Sequence, residues 1–365
     1  MIKIFHIITT IERGGAEKQL LTLVREQILH GNNVNIVYLK GNPEMYDDFT
    51  SLGAKVISDF IGLKFYRQVG LFRKIFSSQS IILHAHLPRA ELLASIGRGN
   101  NTLIISKHNA EKFYPDSNRV LSLIIARFVF FRSDYCICIS KDVLNYLVKI
   151  KEVSSKKCLV VYYGIISEPN AKHYKKSFQS VEIFGTVARI VEQKDYPTLL
   201  NAFSSVSRDF PKTKLLVTGE GILKQNMIDL ASNLDISKNI EWVGRVPNIN
   251  EVLSKIDVFL LTSKYEGFGL VLLEAMKANI PIIASNTSAI PEVLGENYPG
   301  LFNVGDTEDL VSKMKLTFDI NYLEYLLTFY PSRLEIFGSS RMFNEVNNVY
   351  VKAIESKRIV KSNVA

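Results

Sequence analysis

The chain has 365 residues and a mass of 41.3 kDa; 47% of its residues are hydrophobic and 22% are charged. This composition excludes a wholly disordered chain and an integral membrane protein, and the length predicts two domains because single cores rarely grow this large. The formal net charge of +8 favours an acidic partner, namely nucleotide phosphates, an anionic membrane surface or nucleic acid. Nucleic acid is disfavoured, because no basic run is interleaved with aromatic residues and no zinc-finger signature is present.

The cysteines and the apolar stretches indicate the cellular compartment. Cys136 and Cys138 alternate in one apolar run and Cys158 opens another, which is typical of strand interiors in a reducing compartment and not of a disulfide framework. The first apolar run is too short for a secretory signal. The stretch from Val120 to Phe131 is interrupted by Arg127 and falls short of a spanning helix. We therefore expect a cytoplasmic location.

Apolar runs of strand length alternate with stretches of helical period along the chain, which predicts βαβ units and parallel sheets. The first half has six predicted strands, near Ile2–Ile8, Val34–Leu39, Ile81–Ala85, Leu103–Ser106, Tyr135–Ile139 and Leu159–Tyr162. Predicted helices between them include Glu17–Leu29, Arg119–Phe131 and Lys141–Lys149. We predict that this half, residues 1–165, is a separate domain.

A polar, basic segment over residues 166–180 is predicted to be an exposed linker, after which the same pattern restarts. Strands of the second half are predicted near Val181–Val187, Lys214–Val217, Ile240–Val243, Val258–Leu261 and Ile282–Ala284. A long helical pattern runs from Pro331 onward. These features predict a second domain over residues 181–335 and a C-terminal helical segment over residues 336–365.

Two glycine-containing loops follow predicted strands, where open α/β sheets bind ligands. Gly14 and Gly15 stand between the first strand and the first helix, and would allow the backbone to approach a substrate closely or simply make a tight turn. Gly219 and Gly221 follow a strand of the second half. Neither loop completes the G-x-G-x-x-G fingerprint, so a nicotinamide or flavin oxidoreductase is disfavoured.

Two cations and two carboxylates follow other strands of the second half. Arg189 and Lys194 lie past the end of the Val181–Val187 strand, where they can bind a diphosphate or be ordinary solvated charges. Glu266 precedes a predicted helix start near Gly269, whose free N–H groups favour an anion, and Glu274 lies inside that helix. Carboxylates on both sides of an anion site suit a sugar nucleotide, in which sugar, diphosphate and ribose follow one another. The alternative is a helix-start charge at Glu266 and a surface residue at Glu274.

With Glu-Gly-Phe-Gly-Leu-Val-Leu-Leu-Glu at positions 266–274 as its most specific motif, the chain resembles the retaining glycosyltransferases of family 4, also called glycosyl transferases group 1. The glycine pairs, Arg189 and Lys194, and the stretch Trp242–Val246 occur in the order expected of that family. The resemblance implies the GT-B architecture: two Rossmann-like domains with parallel sheets facing across a cleft, and a C-terminal helix crossing back to the N-terminal domain. The donor would then bind mainly to the second domain and the acceptor to the first.

The resemblance also implies roles for individual residues. Arg189 and Lys194 would bind the donor diphosphate, Glu266 the transferred sugar and Glu274 the ribose, while His108 would reach the sugar from the first domain. The remaining donor-binding residues that it implies are Gly14, Gly15, Gly219, Arg245, Val246, Gly267, Phe268, Gly269, Leu270 and Val271. Of these, the backbone around Arg245 and Val246 would contact the base. The resemblance to the family favours uridine as the nucleoside of the donor. A lone histidine is more often structural, and this alternative stays open for His108.

The sequence predicts metal-independent chemistry without a cofactor. It lacks an Asp-x-Asp motif for a bridging cation, and the fixed donors around Lys194 would stabilise the leaving group instead. His84 and His86 are spaced like metal ligands, but no third ligand is apparent in the sequence, so lining or packing roles are favoured. The family retains anomeric configuration, which favours front-face attack because no loop of the first domain presents an evident nucleophilic carboxylate.

The first domain is basic and aromatic around Lys107, Lys112, Phe113, Tyr114, Arg119, Arg127 and Arg132. This pattern suits contact with an anionic membrane surface, or else a core helix with flanking arginines. With the resemblance, it favours a glycan or polyprenyl-diphosphate-linked glycan acceptor in capsule, lipopolysaccharide or other cell-surface polysaccharide synthesis. Three rivals stay open: a sugar-nucleotide 2-epimerase, a phosphorylase-like enzyme, and a non-catalytic protein that binds nucleotide sugars.

Overall fold

The computed structural model describes residues 2–77, 80–115, 117–166, 180–246 and 248–362. The chain divides into two compact units, of which the first combines the chain up to Ile166 with the chain from Phe337 onward, and the second ends at Ile336. Residues 167–179 of the predicted linker lie outside the described residues.

The first unit contains a seven-stranded parallel sheet in the order β3-β2-β1-β4-β5-β6-β7. Its strands are β1 Lys3–Ile8, β2 Asn33–Tyr38, β3 Lys55–Ile57, β4 Ile82–His86, β5 Thr102–Lys107, β6 Tyr135–Cys138 and β7 Cys158–Val160. Its helices before the linker are α1 Gly15–Leu29, α2 Tyr46–Ser51, α3 Phe65–Phe76, α4 Pro88–Gly97, α5 Arg119–Arg132 and α6 Lys141–Lys149, with a 3-10 turn at Ser155–Lys157. The strands β1, β2, β4, β5 and β6 are largely buried on both faces, as expected where helices cover a parallel sheet, and the edge strands β3 and β7 are only partly buried.

The second unit contains a six-stranded parallel sheet in the order β10-β9-β8-β11-β12-β13. Its strands are β8 Ile183–Val187, β9 Lys214–Thr218, β10 Ile240–Gly244, β11 Val258–Leu261, β12 Ile282–Ser285 and β13 Leu301–Phe302. Its helices are α7 Tyr196–Asp209, α8 Lys224–Asn233, α9 Ile249–Leu253, α10 Leu270–Lys277, α11 Ile290–Leu294, α12 Thr307–Leu316, α13 Ile320–Leu327 and α14 Tyr330–Ile336, with 3-10 turns at Glu192–Lys194 and Ser237–Asn239. The predicted α/β class with two Rossmann-like sheets is confirmed.

The C-terminal helical pattern is divided between the two units. Helix α14 ends at Ile336 in the second unit, and α15, Ser339–Ser362, belongs to the first. Between the two helices, Gly338 forms an isolated parallel β-bridge with Ile165. The prediction of one continuous helix from Pro331 onward is therefore wrong at this point. Phe343 and Tyr350 of α15 are buried in the first unit's core, and within the described residues no helix is long and apolar enough to cross a membrane.

Both sheets have a topological switch point, where successive connections leave the sheet in opposite directions. In the first unit it lies between β1 and β4, and in the second between β8 and β11. Loops diverge at the carboxyl ends of such strand pairs and leave a crevice, which is where open α/β sheets bind ligands. The switch points therefore locate one candidate region in each unit.

Candidate active site

Four neighbouring strands of the second unit, in the order β10-β9-β8-β11, carry the predicted donor-binding residues at their carboxyl ends. Arg189 and Lys194 follow β8, Gly219 follows β9, and Glu266 follows β11. Arg245 follows the edge strand β10 and is exposed, and Val246 beside it is half-buried. The fold thus places these sequence-distant segments along one edge of one sheet.

Lys194 and Glu266 meet across the switch point. The Lys194 Nζ donates to Oε1 of Glu266, and both side chains are largely buried, with exposures of 14% and 10%. The Ser263 hydroxyl donates to the same Glu266 oxygen at 2.8 Å, and Ser285 Oγ in turn donates to the Ser263 carbonyl at 2.6 Å. Because an ammonium has three N–H donors, the contact with Glu266 leaves capacity for phosphate oxygens.

The loops after β8 and β11 are held together by further hydrogen bonds. Gln193 Nε2 donates to the Tyr265 carbonyl at 2.9 Å, and the Lys264 N–H donates to the Gln193 carbonyl at 2.8 Å. Thr262 Oγ1 donates to the Lys194 carbonyl at 2.8 Å. Arg189 is exposed, and its Nη2 lies 3.5 Å from Gln193 Oε1. These bonds fix the backbone on both sides of the Lys194–Glu266 pair.

Gly219 and Gly221 bring the β9 loop against the β8 loop. A Cβ atom at Gly219 would lie 2.0 Å from the Ala188 carbonyl oxygen, and one at Gly221 would lie 2.1 Å from that of Ile190. Gly219 also has φ near +140°, a conformation that other residues rarely adopt. The two glycines therefore set the position of the chain that leads to Arg189.

The short helix α10 begins at Leu270, directly after Gly269 in the left-handed conformation (φ 84°). The first N–H groups of a helix have no intrahelical partner and carry its positive end, so the start of α10 suits an anion. Glu274 lies one turn below Leu270 on the same, partly exposed face of the helix. Phe268 is buried at 2% exposure, so only its backbone is available to a ligand.

In the first unit, Gly14 precedes α1 and contacts a buried carboxylate. A Cβ atom at Gly14 would lie 2.4 Å from Glu17 Oε2, and the Thr10 hydroxyl donates to Glu17 Oε1 at 2.7 Å. Burial raises the pKa of Glu17. This packing gives Gly14 a structural purpose and places Gly15 at the start of α1.

His108 follows β5, and both of its ring nitrogens already have partners in the first unit. Nε2 lies 3.1 Å from His86 Nδ1, and Nδ1 contacts the Tyr163 hydroxyl. Burial lowers the pKa of His108 to about 3, so the ring is neutral near pH 7. A third histidine, His6, lies beside His84 and His86, so the expectation that no third ligand is near them is wrong.

Two clusters among the described residues have side-chain atoms close enough to hold a metal ion: His6, His84 and His86, and the three free cysteines Cys136, Cys138 and Cys158. Every ring nitrogen of the three histidines is already in a hydrogen bond to another side chain. All the ring nitrogens that a metal ion would need in the histidine cluster are therefore already bonded to side chains of the protein.

The basic, aromatic region of the first unit is only partly a surface. Lys107 is buried and its Nζ lies 2.6 Å from Glu91 Oε2, and Phe113 is also buried, so both are excluded from the predicted surface. Helix α5 exposes an apolar face instead, formed by Val120, Leu121, Ile124, Phe128 and Phe131. Arg119 and Arg127 on the same helix are exposed, whereas Arg132 is half-buried with its Nε donating to the Ser95 carbonyl.

Several residues at these sites were not predicted. Ser263 donates a hydrogen bond to the Glu266 carboxylate. Its position three residues before Glu266 on the same loop could have indicated this contact. Leu87, between β4 and α4, has φ 71° at the first unit's switch point, a strained conformation for a residue with a side chain. His6 stands in an otherwise apolar strand, and Gln27 on the buried face of α1; such isolated buried polar residues indicate a specific partner.

Two family models match the chain. Residues 13–168 match Glycosyltransferase Family 4, and residues 169–326 match Glycosyl transferases group 1. The two matches adjoin and together span well over half of the chain.

Two relatives and one solved structure extend this result. The N-acetyl-alpha-D-glucosaminyl L-malate synthase of Bacillus anthracis is 30% identical over 240 residues, which cover 62% of each chain and so less than two thirds of that enzyme. A Campylobacter jejuni N-acetyl-D-galactosaminyltransferase, named for a diphospho-undecaprenol-linked glycan, is 24% identical over 334 residues, 88% of this chain and 89% of that one. Anabaena HepE in complex with UDP-glucose has a TM-score of 0.80 at 15% identity, covering 96% of this chain and 100% of that one.

Proposed function

This chain belongs to glycosyltransferase family 4, and we propose that it transfers a sugar from a UDP-linked donor to a glycan or polyprenyl-diphosphate-linked glycan in cell-surface polysaccharide synthesis. The proposed sugar is a hexose or N-acetylhexosamine. The relatives named above act on N-acetylated sugars, one of them on a lipid-linked acceptor, and the similar fold of HepE was solved with UDP-glucose. These names support the donor and acceptor classes.

The observation that carries the proposal is the Lys194–Glu266 contact across the β8–β11 switch point. A pairing of cation and carboxylate at this place offers donors to a diphosphate and an acceptor to sugar hydroxyls within a few ångströms of each other. A nucleotide sugar presents these two chemistries in adjacent parts of one molecule. Neither a bare nucleotide nor a free sugar would use both groups.

The remaining residues extend the donor site in both directions from this pair. Arg189 and the start of α10 add donors for the diphosphate, and the partly exposed carboxylate of Glu274 is one turn farther along, where it would accept hydrogen bonds from ribose hydroxyls. The backbone around Arg245 would contact the base. The proposed order along the donor is therefore sugar at Glu266, diphosphate at Lys194 and the start of α10, ribose at Glu274 and base near Arg245.

For the reaction, the fixed cations and helix start would stabilise the charge that develops on the departing diphosphate. The acceptor hydroxyl would attack from the same face and pass its proton to the departing phosphate, which retains the anomeric configuration. No metal ion enters this scheme. Glu266 would hold the sugar in place while the bond to the diphosphate breaks.

The acceptor side rests on α5. Its exposed apolar face and the exposed Arg119 and Arg127 provide the two features that an interfacial helix needs, buried apolar area and attraction to anionic lipids. A lipid-linked glycan would be presented at such a surface. We therefore propose that α5 contacts an anionic membrane and that the enzyme acts there as a peripheral cytoplasmic protein.

One assay distinguishes the proposal from its rivals. The chain is incubated with a panel of nucleotide sugars, with and without polyprenyl-diphosphate-linked glycans and with and without inorganic phosphate, and both UDP release and the sugar products are followed. A glycosyltransferase releases UDP and extends the glycan. A 2-epimerase converts the donor without acceptor, a phosphorylase-like enzyme requires phosphate, and a non-catalytic binding protein changes neither substrate; each of these three results would overturn the proposal.

A further inference from the structure

A continuous chain of hydrogen-bonded side chains that includes His108 runs through the core of the first unit. From His108 it passes to His86 at 3.1 Å, to His6 at 3.0 Å and to Gln27 Oε1 at 2.8 Å. The other end of the Gln27 amide continues the chain, because its Nε2 donates to the Tyr350 hydroxyl at 3.2 Å. We refer to the residues along this path as the histidine chain; in order they are Tyr163, His108, His86, His6, Gln27, Tyr350, His84 and Ser106.

The two ends of the histidine chain are hydroxyl groups. Tyr163 contacts Nδ1 of His108 at one end. At the other, Tyr350 lies 2.7 Å from His84 Nδ1, and His84 Nε2 lies 2.7 Å from Ser106 Oγ. The path joins strands β1, β4 and β5 to helices α1 and α15, so residues far apart in sequence share one network.

The Gln27 amide gives this chain a direction. Its Oε1 can only accept, so His6 must carry its proton on Nε2 and accept through Nδ1. His86 must then donate through Nε2 and accept through Nδ1, and His108 must donate through Nε2 to His86. The only role left for Nδ1 of His108 is that of an acceptor, with the Tyr163 hydroxyl as its donor.

The four imidazole rings of the histidine chain are neutral near pH 7. Burial lowers the pKa of His6 to about 4, and burial places the pKa values of His84 and His86 well below the ordinary value, with neighbouring histidines adding to the effect. Burial lowers the pKa of His108 in the same way. Each neutral ring has one donor and one acceptor, so reversing one bond along His6, His86 and His108 reverses the other bonds of these three rings.

We propose that Gln27 is a positioning residue that acts through His6 and His86 to hold His108 in the Nε2–H tautomer, with Nδ1 kept as a hydrogen-bond acceptor for a hydroxyl group. The next step rests on the proposed function. During the reaction, a hydroxyl group of the substrate sugar replaces the Tyr163 hydroxyl as the donor to His108 Nδ1. A neutral acceptor at this place orients a sugar hydroxyl without adding a charge to the first unit's site.

Nitrogen-15 NMR of the histidine rings tests the tautomers directly, in the full chain and without substrate, since protonated and unprotonated ring nitrogens have well-separated chemical shifts. We expect His6, His86 and His108 each to carry one proton, on Nε2. Protons on Nδ1 of His6, His86 and His108 would mean that the amide has the opposite orientation and would overturn the proposal. Doubly protonated rings near neutral pH would overturn it as well.

Gln27→Met removes the acceptor that sets the direction and keeps a similar volume, so His108 is expected to become a mixture of tautomers. Tyr350→Phe removes the partner that anchors the amide and provides a second route to the same result if Gln27→Met folds poorly. The matched control is Gln19→Met: Gln19 is another buried glutamine of α1, bonded through both amide atoms to the Gly164 backbone and outside the histidine chain. Unchanged His108 shifts in both Gln27→Met and Tyr350→Phe would overturn the proposal.

Activity provides a separate readout. In Gln27→Met we expect kcat to fall about tenfold, the size of one hydrogen bond that is no longer oriented, with little change in the KM for the donor, since the donor binds mainly to the second unit. Equal kcat in Gln27→Met and Gln19→Met, alongside altered tautomers, would refute the catalytic part alone. If no sugar transfer is found at all, the NMR result still stands, so failure of the proposed function is distinguishable from failure of this inference.

Discussion

Lys194 contacts Glu266 at the boundary between β8 and β11, where the strand order of the second sheet changes direction. The two residues are 72 positions apart in sequence, and their loops are fixed by a backbone hydrogen bond from Lys264 to Gln193 and by side-chain bonds from Gln193 and Thr262 to backbone carbonyls. The pair thus lies in a preorganised position. Its members are held by the protein before any ligand arrives, which is a requirement for stabilising charge during a reaction.

Replacing either member of the pair is expected to abolish most of the turnover while the protein still folds. In Lys194→Ala and Glu266→Ala, the loss of one partner of a largely buried charge pair costs on the order of 2–5 kcal/mol, or about 30-fold to several thousand-fold in kcat/KM. The matched control is Lys264→Ala, because Lys264 is on the same loop but pairs with the exposed Glu192. Near-normal turnover in both site variants would refute the site assignment.

The glycine at the β9 loop provides a test of geometry without any change in charge. Gly219→Ala introduces a Cβ atom that collides with the Ala188 carbonyl and requires an unfavourable φ. We expect a loss of stability above the roughly 1–2 kcal/mol of a left-handed residue alone, and weaker donor binding because the chain leading to Arg189 moves. Gly62→Ala is the control, since Gly62 has φ 73° with open space around it. Equal losses in thermal unfolding would contradict the packing role.

The arrangement of the sheets and the order of the candidate loops were predictable, because hydrophobic period and strand-end position are local signals. Lys194 and Glu266 after strand ends and Glu274 inside a helix were predicted in this way. The direct contact of Lys194 with Glu266 was not predicted, since it depends on which strands become neighbours. The same reason explains the error at Lys107, whose burial follows from the presence of Glu91 on α4, a partner that no local pattern reveals.

The Lys107–Glu91 pair predicts a strong asymmetry between single and double substitutions. Burial lowers the pKa of Lys107, but the Glu91 carboxylate, together with Cys136 and Glu152, raises it by more, so the net shift is upward and the ammonium stays charged. Lys107→Met leaves a buried carboxylate and should destabilise the first unit by about 3–5 kcal/mol. Adding Glu91→Leu should recover much of that loss in urea unfolding; a double variant as unstable as the sum of its parts would argue against the pair.

Acid should destabilise the first unit through its buried histidines. Their folded-state pKa values lie below the ordinary value near 6.5, so their stabilising contribution is complete above about pH 6.5 and is lost as pH falls toward the folded values, about 4 for His6 and about 3 for His108. Each such histidine contributes a slope of up to about 1.4 kcal/mol per pH unit.

This slope is measured by urea unfolding at several pH values, comparing the wild type with His84→Asn, whose slope should be shallower, and with His30→Asn as a control outside the histidine chain. The single tryptophan, Trp242, lies in β10 of the second unit, so its fluorescence follows that unit separately. Identical slopes for His84→Asn and the wild type would contradict the prediction.

Membrane contact through α5 predicts binding to anionic vesicles. Phe128→Ser with Phe131→Ser should reduce flotation with phosphatidylglycerol vesicles strongly without loss of stability, because both side chains are exposed, by 41% and 75%. Tyr66→Ser is the control, an aromatic residue of α3 that is 65% exposed on another helix of the same unit. Binding that is equally strong in the double variant, or equal for phosphatidylcholine and phosphatidylglycerol, would refute this surface.

The central claim is that a nucleotide sugar binds with its diphosphate at Lys194 and the start of α10. Isothermal titration with UDP, then with UDP-sugars, tests it most directly in the wild type, Lys194→Met and the control Lys264→Met. We predict one site per chain, retained in Lys264→Met and weakened at least about tenfold in Lys194→Met, as for the loss of one charge-assisted hydrogen bond. Equal affinity in all three proteins, or no binding of any nucleotide sugar to the wild type, would contradict it.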